Sequence, residues 1–360
     1  MAQIMELTLE RANQLMEENR GSLDLNGTNV TSLPEGLTVN GWLDLSDTGV
    51  AELPEGLTVG TWLRLSGTGI TELPKGLSVG KLLDLSGTGI TELPEGLTIA
   101  GGLDLSGTGV NQLPKGLSVG GSLYLRGTKI KSLPADLVVG GQLDLSHTPL
   151  ASLPEDLTVG SSLDLRYSRI KSLPKGLVVG GPLYLRGTDI ASLPVDLAVG
   201  GRIYPNRADI DKKGVRKLRD GDYVPGRYLY ADGILTPVKA EKRLDGYTVY
   251  VGRIKGRNVV SDGKHYAHCS KIRDGVADLA FKAASDRGAG QYKDLPLDTE
   301  MAVGEAKTMY RVITGACRQG TDMFVAGLKD KLKDRYTIRE MLEITAGQYG
   351  HEAFAAFFSA

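Results

Sequence analysis

The chain has 360 residues, 41% hydrophobic and 24% charged, with a formal net charge of −1; these values fit a folded protein of about two units. No apolar run approaches the ~18–20 residues of a membrane span, and two cysteines, Cys269 and Cys317, exclude a disulfide framework, so a reducing compartment, the cytoplasm, is expected. The small net charge hides two unlike halves: residues 1–200 hold 14 Lys and Arg against 22 Asp and Glu (−8), residues 201–360 hold 28 against 21 (+7).

Residues 6–19 are predicted to form a helix, because Leu7, Leu9, Ala12, Leu15 and Met16 recur at three- to four-residue spacing among Glu, Arg and Gln. Residues 1–20 are expected to cap the open apolar end of the leucine-rich segment that begins at Leu23. Glu6, Glu10, Glu17 and Glu18 take the place of the basic n-region and apolar core of a secretory leader, so export would need a non-classical route.

From Leu23 the pattern Leu-x-Leu-x-x-Thr-x-(Ile/Val) returns at Leu43, Leu63, Leu83, Leu103, Leu123, Leu143, Leu163 and Leu183, always twenty residues on. A fixed, leucine-rich period of about that length is the signature of a leucine-rich repeat solenoid. In one unit Leu123 and Leu125 alternate with Ser122, Tyr124 and Arg126, which predicts a short strand with one face inward. Leu113, Leu117, Val119 and Ile130 complete the interior. One coil alone buries too little, so the equivalent leucines must stack into a continuous core.

The hydroxyl column Thr28, Thr48, Thr68, Thr88, Thr108, Thr128, Thr148, Ser168 and Thr188 is expected to bond nearby backbone where the chain leaves each strand. Gly36, Gly56, Gly76, Gly96, Gly116 and Gly176 exchange at one position with Asp136, Asp156 and Asp196, which points to a left-handed backbone there. Pro34, Pro54 and their copies predict an extended convex side, so the stack should bend into a horseshoe.

The spacing Leu-Pro-x-x-Leu-x-x-x-x-x-Leu-x-Leu-x-x-Thr-x-Ile over residues 1–205 resembles the short bacterial leucine-rich repeat class, which includes the LPX-type effectors delivered by pathogens. Thr stands where that class has its Asn ladder. The resemblance implies a bacterial or phage effector-like protein that binds a protein partner through its concave sheet. The outward residues Trp42, Trp62, Arg64, Tyr124, Arg126, Arg166, Tyr167, Tyr184 and Arg186 are the candidate contacts, since Trp, Tyr and Arg dominate interface hot spots. Trp42 and Trp62 would stand on adjacent strands roughly 5 Å apart, facing either a partner or the N-terminal helix. The Asp residues at the middle strand position would repel one another, with Arg64 and Tyr124 interrupting the series.

The tenth copy decays at Ile203-Tyr-Pro205-Asn-Arg-Ala208-Asp-Ile210, and a strand bearing Pro belongs at an edge. The solenoid is therefore expected over 21–210, a basic linker over 211–225, and a separate α+β domain over 226–360. In that domain Asp232-Gly233 predicts a hairpin turn, Tyr247–Ile254 should pair with Asn258–Val260, and Lys271–Arg287 should be helical. Further helices are expected from Asp298 or Thr299 through Cys317, over Thr321–Lys333, Thr337–Ile344 and Gln348–Phe358. Its segments His265–Lys271 and Asp278–Lys282 resemble a module found behind repeat arrays in phage and gut-bacterial proteins.

His265, His268 and Cys269 are too few ligands for a zinc site without a second pair, so no metal and no cofactor are expected. The ligase domains of LPX effectors use a Cys-x-Asp nucleophile, whereas Cys317 precedes Arg318-Gln319 and Cys269 precedes Ser270-Lys271. The leading expectation is thus a non-enzymatic protein-binding protein whose C-terminal domain docks or recruits. The alternatives are a C-terminal domain that modifies the captured target, through Cys269 or Cys317 with a base, and nucleic-acid binding through the +7 charge of residues 201–360.

Overall fold

Each Leu-x-Leu pair forms a two- or three-residue strand, because alternate side chains must go to opposite faces and only one face is apolar. In the computed structural model, which describes residues 7–95, 97–205, 215–329 and 332–359, ten such strands run parallel in chain order, from Leu23–Asp24 to Ile203–Tyr204. We call this the front sheet. Its register is the sequence period itself: Leu43 pairs with Leu63, Leu123 with Leu143, Leu183 with Ile203. The inward leucines are essentially inaccessible, Leu63, Leu83, Leu103, Leu123 and Leu143 all at 0% exposure, each contributing about 1.5–3 kcal/mol.

The segments between front strands do more than run extended. Thr38–Val39, Thr58–Val59 and Ser78–Val79 form a three-stranded parallel sheet. Thr98–Ile99 and its successors form a seven-stranded one on the same side, the back sheet. Helix α1 (Leu9–Glu18) starts at Thr8, whose hydroxyl accepts from the Arg11 amide at 3.2 Å. It buries Ala12 and Met16 in the same core as Leu23 and Leu25, closing the first coil as the sequence implied.

The hydroxyl column turns back on its own coil: Thr28, Thr48, Thr128 and Thr148 each donate to the carbonyl three residues earlier at 2.7 Å. The Gly/Asp column is left-handed at Gly36, Gly56, Gly76, Gly116 and Gly176, and at Asp156. Asp136 and Asp196 depart from that expectation. Their carboxylates accept instead from the amides of Gly116 and Gly176 in the coil before, at 2.9 and 2.8 Å. Gly96 lies outside the described residues.

The front sheet ends at Ile203–Tyr204, just before Pro205; residues 206–214, with Ala208, Ile210, Lys212 and Lys213, lie outside the described residues. The seventh strand of the back sheet is Arg216–Lys217, paired with Ala198–Val199. The chain divides into Met1–Ala240 with Val251–Arg257, and Glu241–Tyr250 with Asn258–Ala360. Thus the first hairpin after the solenoid, Tyr228–Ala231 with the start of Ile234–Leu244, packs with the coils. Leu218, Tyr228 and Leu235 are buried with Val178 and Ala198 of the back strands. Arg227 donates to the Gly176 carbonyl at 2.6 Å and pairs with Asp156 at 3.0 Å.

The second unit has antiparallel strands in which Val249 pairs with Val260 and Val259 with His268. Its helices are α2 (Ile272–Arg287), α3 (Val303–Thr314), α4 (Arg318–Gly327), α5 (Ile338–Ile344) and α6 (His351–Ser359). One expected helix is corrected. Glu300–Ala302 is a strand paired with Arg335–Thr337, and α3 starts only at Val303, after Glu305 accepts from the Ala302 amide at 2.9 Å. It stops at Gly315, left-handed at φ 71°, so Cys317 caps the next helix instead of ending this one. No described helix is long and apolar enough to cross a membrane.

Candidate partner-binding face

The middle residue of each Leu-x-Leu faces out from the front sheet. Repulsion along the Asp series is met locally: Asp44, Asp84, Asp104, Asp144 and Asp164 each accept the amide two residues on, at 2.8–3.0 Å. These Asx turns satisfy the carboxylates with backbone dipoles. Burial pushes the Asp44 carboxyl up, but the Ser46 hydroxyl and amide and the Arg64 guanidinium outweigh it and hold the group below its ordinary value.

The late coils concentrate the Tyr and Arg side chains. Arg166 grips Asp164, Nε lying 2.9 Å and Nη2 2.6 Å from Oδ2, and these bonds push the guanidinium further up. The same guanidinium lies 5.4 Å from the centroid of Tyr184 on the next strand, and Tyr184 stacks on Tyr204 at 4.8 Å and 6°. One salt-bridged cation and two parallel rings therefore make a continuous plate across three strands. Arg126 and Arg186 occupy the same column as Arg166 and are exposed.

Beside the plate runs a turn position that is left-handed in every regular coil. Glycine fills it at Gly27, Gly67, Gly87, Gly107, Gly127 and Gly187; Asp47, His147 and Tyr167 do not follow, with φ of 56°, 58° and 58°. A bulky L-residue held there costs roughly 1–2 kcal/mol. The two rings nevertheless stack at 4.8 Å, and Tyr167 is 47% exposed. Gly187 makes the room: a Cβ on it would collide with the Tyr167 ring.

Of the residues singled out in the sequence, Arg166, Tyr167 and Tyr184 come together here. Tyr124 and Arg126 stand two strands away, with Asp144 paired between Tyr124 and Asp164. Trp42, Trp62 and Arg64 form a separate group in the early coils. Trp62 is 43% exposed, its ring lies 5.7 Å from Arg64, Arg64 reaches Asp44 at 3.4 Å, and Trp42 is half-buried. His147 and Tyr204 were missed. His147 breaks a glycine column, a signal open to inspection; Tyr204 sits in the decayed copy that Pro205 interrupts.

The groups considered for chemistry are held otherwise. His265 lies between Asp262 and Asp286, 2.9 Å from each. Burial pushes the Cys269 thiol up, away from the thiolate that nucleophilic attack requires. Cys317 is exposed and accepts the Gly320 amide at 3.3 Å. Among the described residues no three His, Cys, Asp or Glu side chains gather to hold a metal ion.

No family model matches the chain, and no curated protein matches it. Among solved structures it is similar to the leucine-rich effector protein YopM from Yersinia pestis, at 18% identity over 54% of this chain and 68% of that one, with a TM-score of 0.35. YopM from Yersinia enterocolitica matches over the same shares at 18% identity and a TM-score of 0.20. Superpositions this weak carry no argument; the leucine-rich repeat fold rests on the twenty-residue register of the ladders.

Proposed function

We propose that the protein is a non-enzymatic binding protein whose front sheet recognises a protein partner, with the late-coil face around Arg126, Arg166, Tyr167, Tyr184, Arg186 and Tyr204 as the centre of contact. The observation that carries this reading is the pair His147 and Tyr167, kept in a left-handed backbone that neighbouring coils give to glycine. Backbone strain that the fold does not need, attached to an exposed ring, is characteristic of functional positions. Tyr and Arg around it supply rigid, amphipathic contact area and charge-assisted hydrogen bonds. Trp62 and Arg64 extend the contact toward the early coils, and residues 258–360 dock or recruit.

The test compares pull-downs from the native cell by the full chain and by an Arg126→Glu/Arg186→Glu variant, followed by titration of the captured protein. The proposal expects at least tenfold weaker binding with an unchanged unfolding midpoint. Equal affinity would move the interface off this face. Binding of nucleic acid that collapses between about 50 and 200 mM salt would move it to the basic residues of 215–257.

A further inference from the structure

Helix α4 is tied to its surroundings by charge more than by packing. Lys307 of α3 pairs with Asp322, and Arg318 pairs with Asp278 and, at 3.5 Å, with Asp274 of α2. Thr321, Phe324, Val325 and Leu328 recur along α4 as an apolar stripe, yet Phe324, Val325 and Leu328 are only half-buried. The stripe does not close on the core because a cavity of about 400 Å³ lies between it and α3 and α5. Ala306, Tyr310, Ala316, Phe324, Tyr336 and Met341 are among the residues that line it. Protein interiors are close-packed, with few voids larger than a water; a space of this size falls within the roughly 300–1,000 Å³ of small-molecule sites.

The chemistry of the wall selects the occupant. Three of its hydroxyl protons are already committed: Tyr310 donates to the Tyr349 carbonyl at 2.7 Å, Thr345 to Met341 at 2.7 Å, and Thr321 to Arg318 at 2.9 Å. Water inside would find few free donors. Lys307, the one charged side chain lining the cavity, is already paired with Asp322, and Arg318 beyond it with Asp274, Asp278 and Asp322, so neither a carboxylate nor an ammonium head is called for. Gln348 and Cys317 line the same cavity and are exposed, leaving polar contact at the mouth. We infer that this cavity is a binding site for an uncharged small molecule with an apolar body and a single polar end at the mouth. The ion pairs hold α4 at the distance the ligand requires.

The full-length protein is titrated with Nile red, an uncharged apolar dye, which is then displaced by straight-chain 1-alkanols of increasing length. One saturable site per chain is expected. Affinity should tighten about fourfold per added methylene and level off once the chain fills the cavity. Ala306→Trp and Ala316→Leu, which fill the space, should each weaken Nile red at least tenfold. A measurement that needs no variant runs beside it: saturating 1-decanol should slow alkylation of Cys317 by N-ethylmaleimide several-fold and leave Cys269 unaffected. The inference is overturned by any of four results. These are no saturable dye binding, unbroken tightening with alkanol length, an unprotected Cys317, or light scattering that shows the site forming only where two chains pair.

Discussion

Asp164 is 2% exposed, and both of its oxygens are held by the half-exposed guanidinium of Arg166, two residues along the same coil. An exposed Arg on the front face and a buried carboxylate in the coil are therefore one unit. Replacing Arg166 by Met leaves that carboxylate with the residue-166 amide. The expected cost is about 1–2 kcal/mol, below the value for a fully buried pair because the guanidinium is open to solvent. Arg126→Met should stay within about 0.5 kcal/mol. Urea unfolding of the two variants decides it, and equal midpoints would deny Arg166 its structural share.

Tyr167 makes the opposite trade. Tyr167→Gly relieves the left-handed strain, set against the lost stack on His147 and the more flexible unfolded chain. A net stabilisation of roughly 0.5–1 kcal/mol is expected, together with weaker partner binding, as when function opposes stability. A variant more than about 1 kcal/mol less stable than wild type would show the ring serving the fold.

The Val251–Arg257 segment that returns to the first unit should behave as core. Ile254 is 5% exposed, and a Cβ placed on Gly140 would meet its Cδ1 at 2.6 Å. Ile254→Ala is expected to cost about 2–4 kcal/mol, whereas Ile234→Ala, at a position 47% exposed, should cost under about 1 kcal/mol. Thermal unfolding separates them; similar losses would mean that this segment is not part of the first unit.

His265 gives stability a pH dependence of known sign. Hydrogen bonds to Asp262 and then Asp286 push its imidazole above the ordinary value, so its contribution is complete below about pH 6.5 and is lost as pH rises through the raised value. Asp262 and Asp286 are each lowered to about 2, the latter also pairing with Lys264. Their contribution is present above about pH 3.9 and is lost as pH falls toward 2. The gap in unfolding midpoint between wild type and His265→Ala should be wide at pH 6 and narrow by pH 9. A gap independent of pH would show that the ring acts by packing alone.

The solenoid was legible because its partners are written into its period. Every residue meets its own copy one coil away, so Leu123 opposite Leu143 follows from spacing alone. The candidate face was legible in part for the same reason: Arg166, Tyr167 and Tyr184 could be placed as neighbours by counting. What counting missed was conformation. That His147 and Tyr167 share a left-handed position with six glycines appears only when φ is known, although the broken glycine column is visible in the letters. In the second unit, Met301 and Ala302 carry an apolar pattern that suits either a helix or a strand, and pairing with Arg335–Thr337 decided for the strand.

By itself the amino-acid order determined the repeat, its register, the leucine core and the capping helix, since all of these are contacts between equivalent or adjacent positions. Only the tertiary structure decided where the first unit ends and which strands cover its back sheet. Arg227 bonds the Asp156 carbonyl across 71 residues, and Arg257 that of Gly140 across 117. Contacts so far apart follow no period and depend on how two surfaces fit. Val178 and Ala198, standing where every earlier coil but that of Val138 carries Thr or Ser, mark that fit only once Leu218, Tyr228 and Leu235 are seen lying on them.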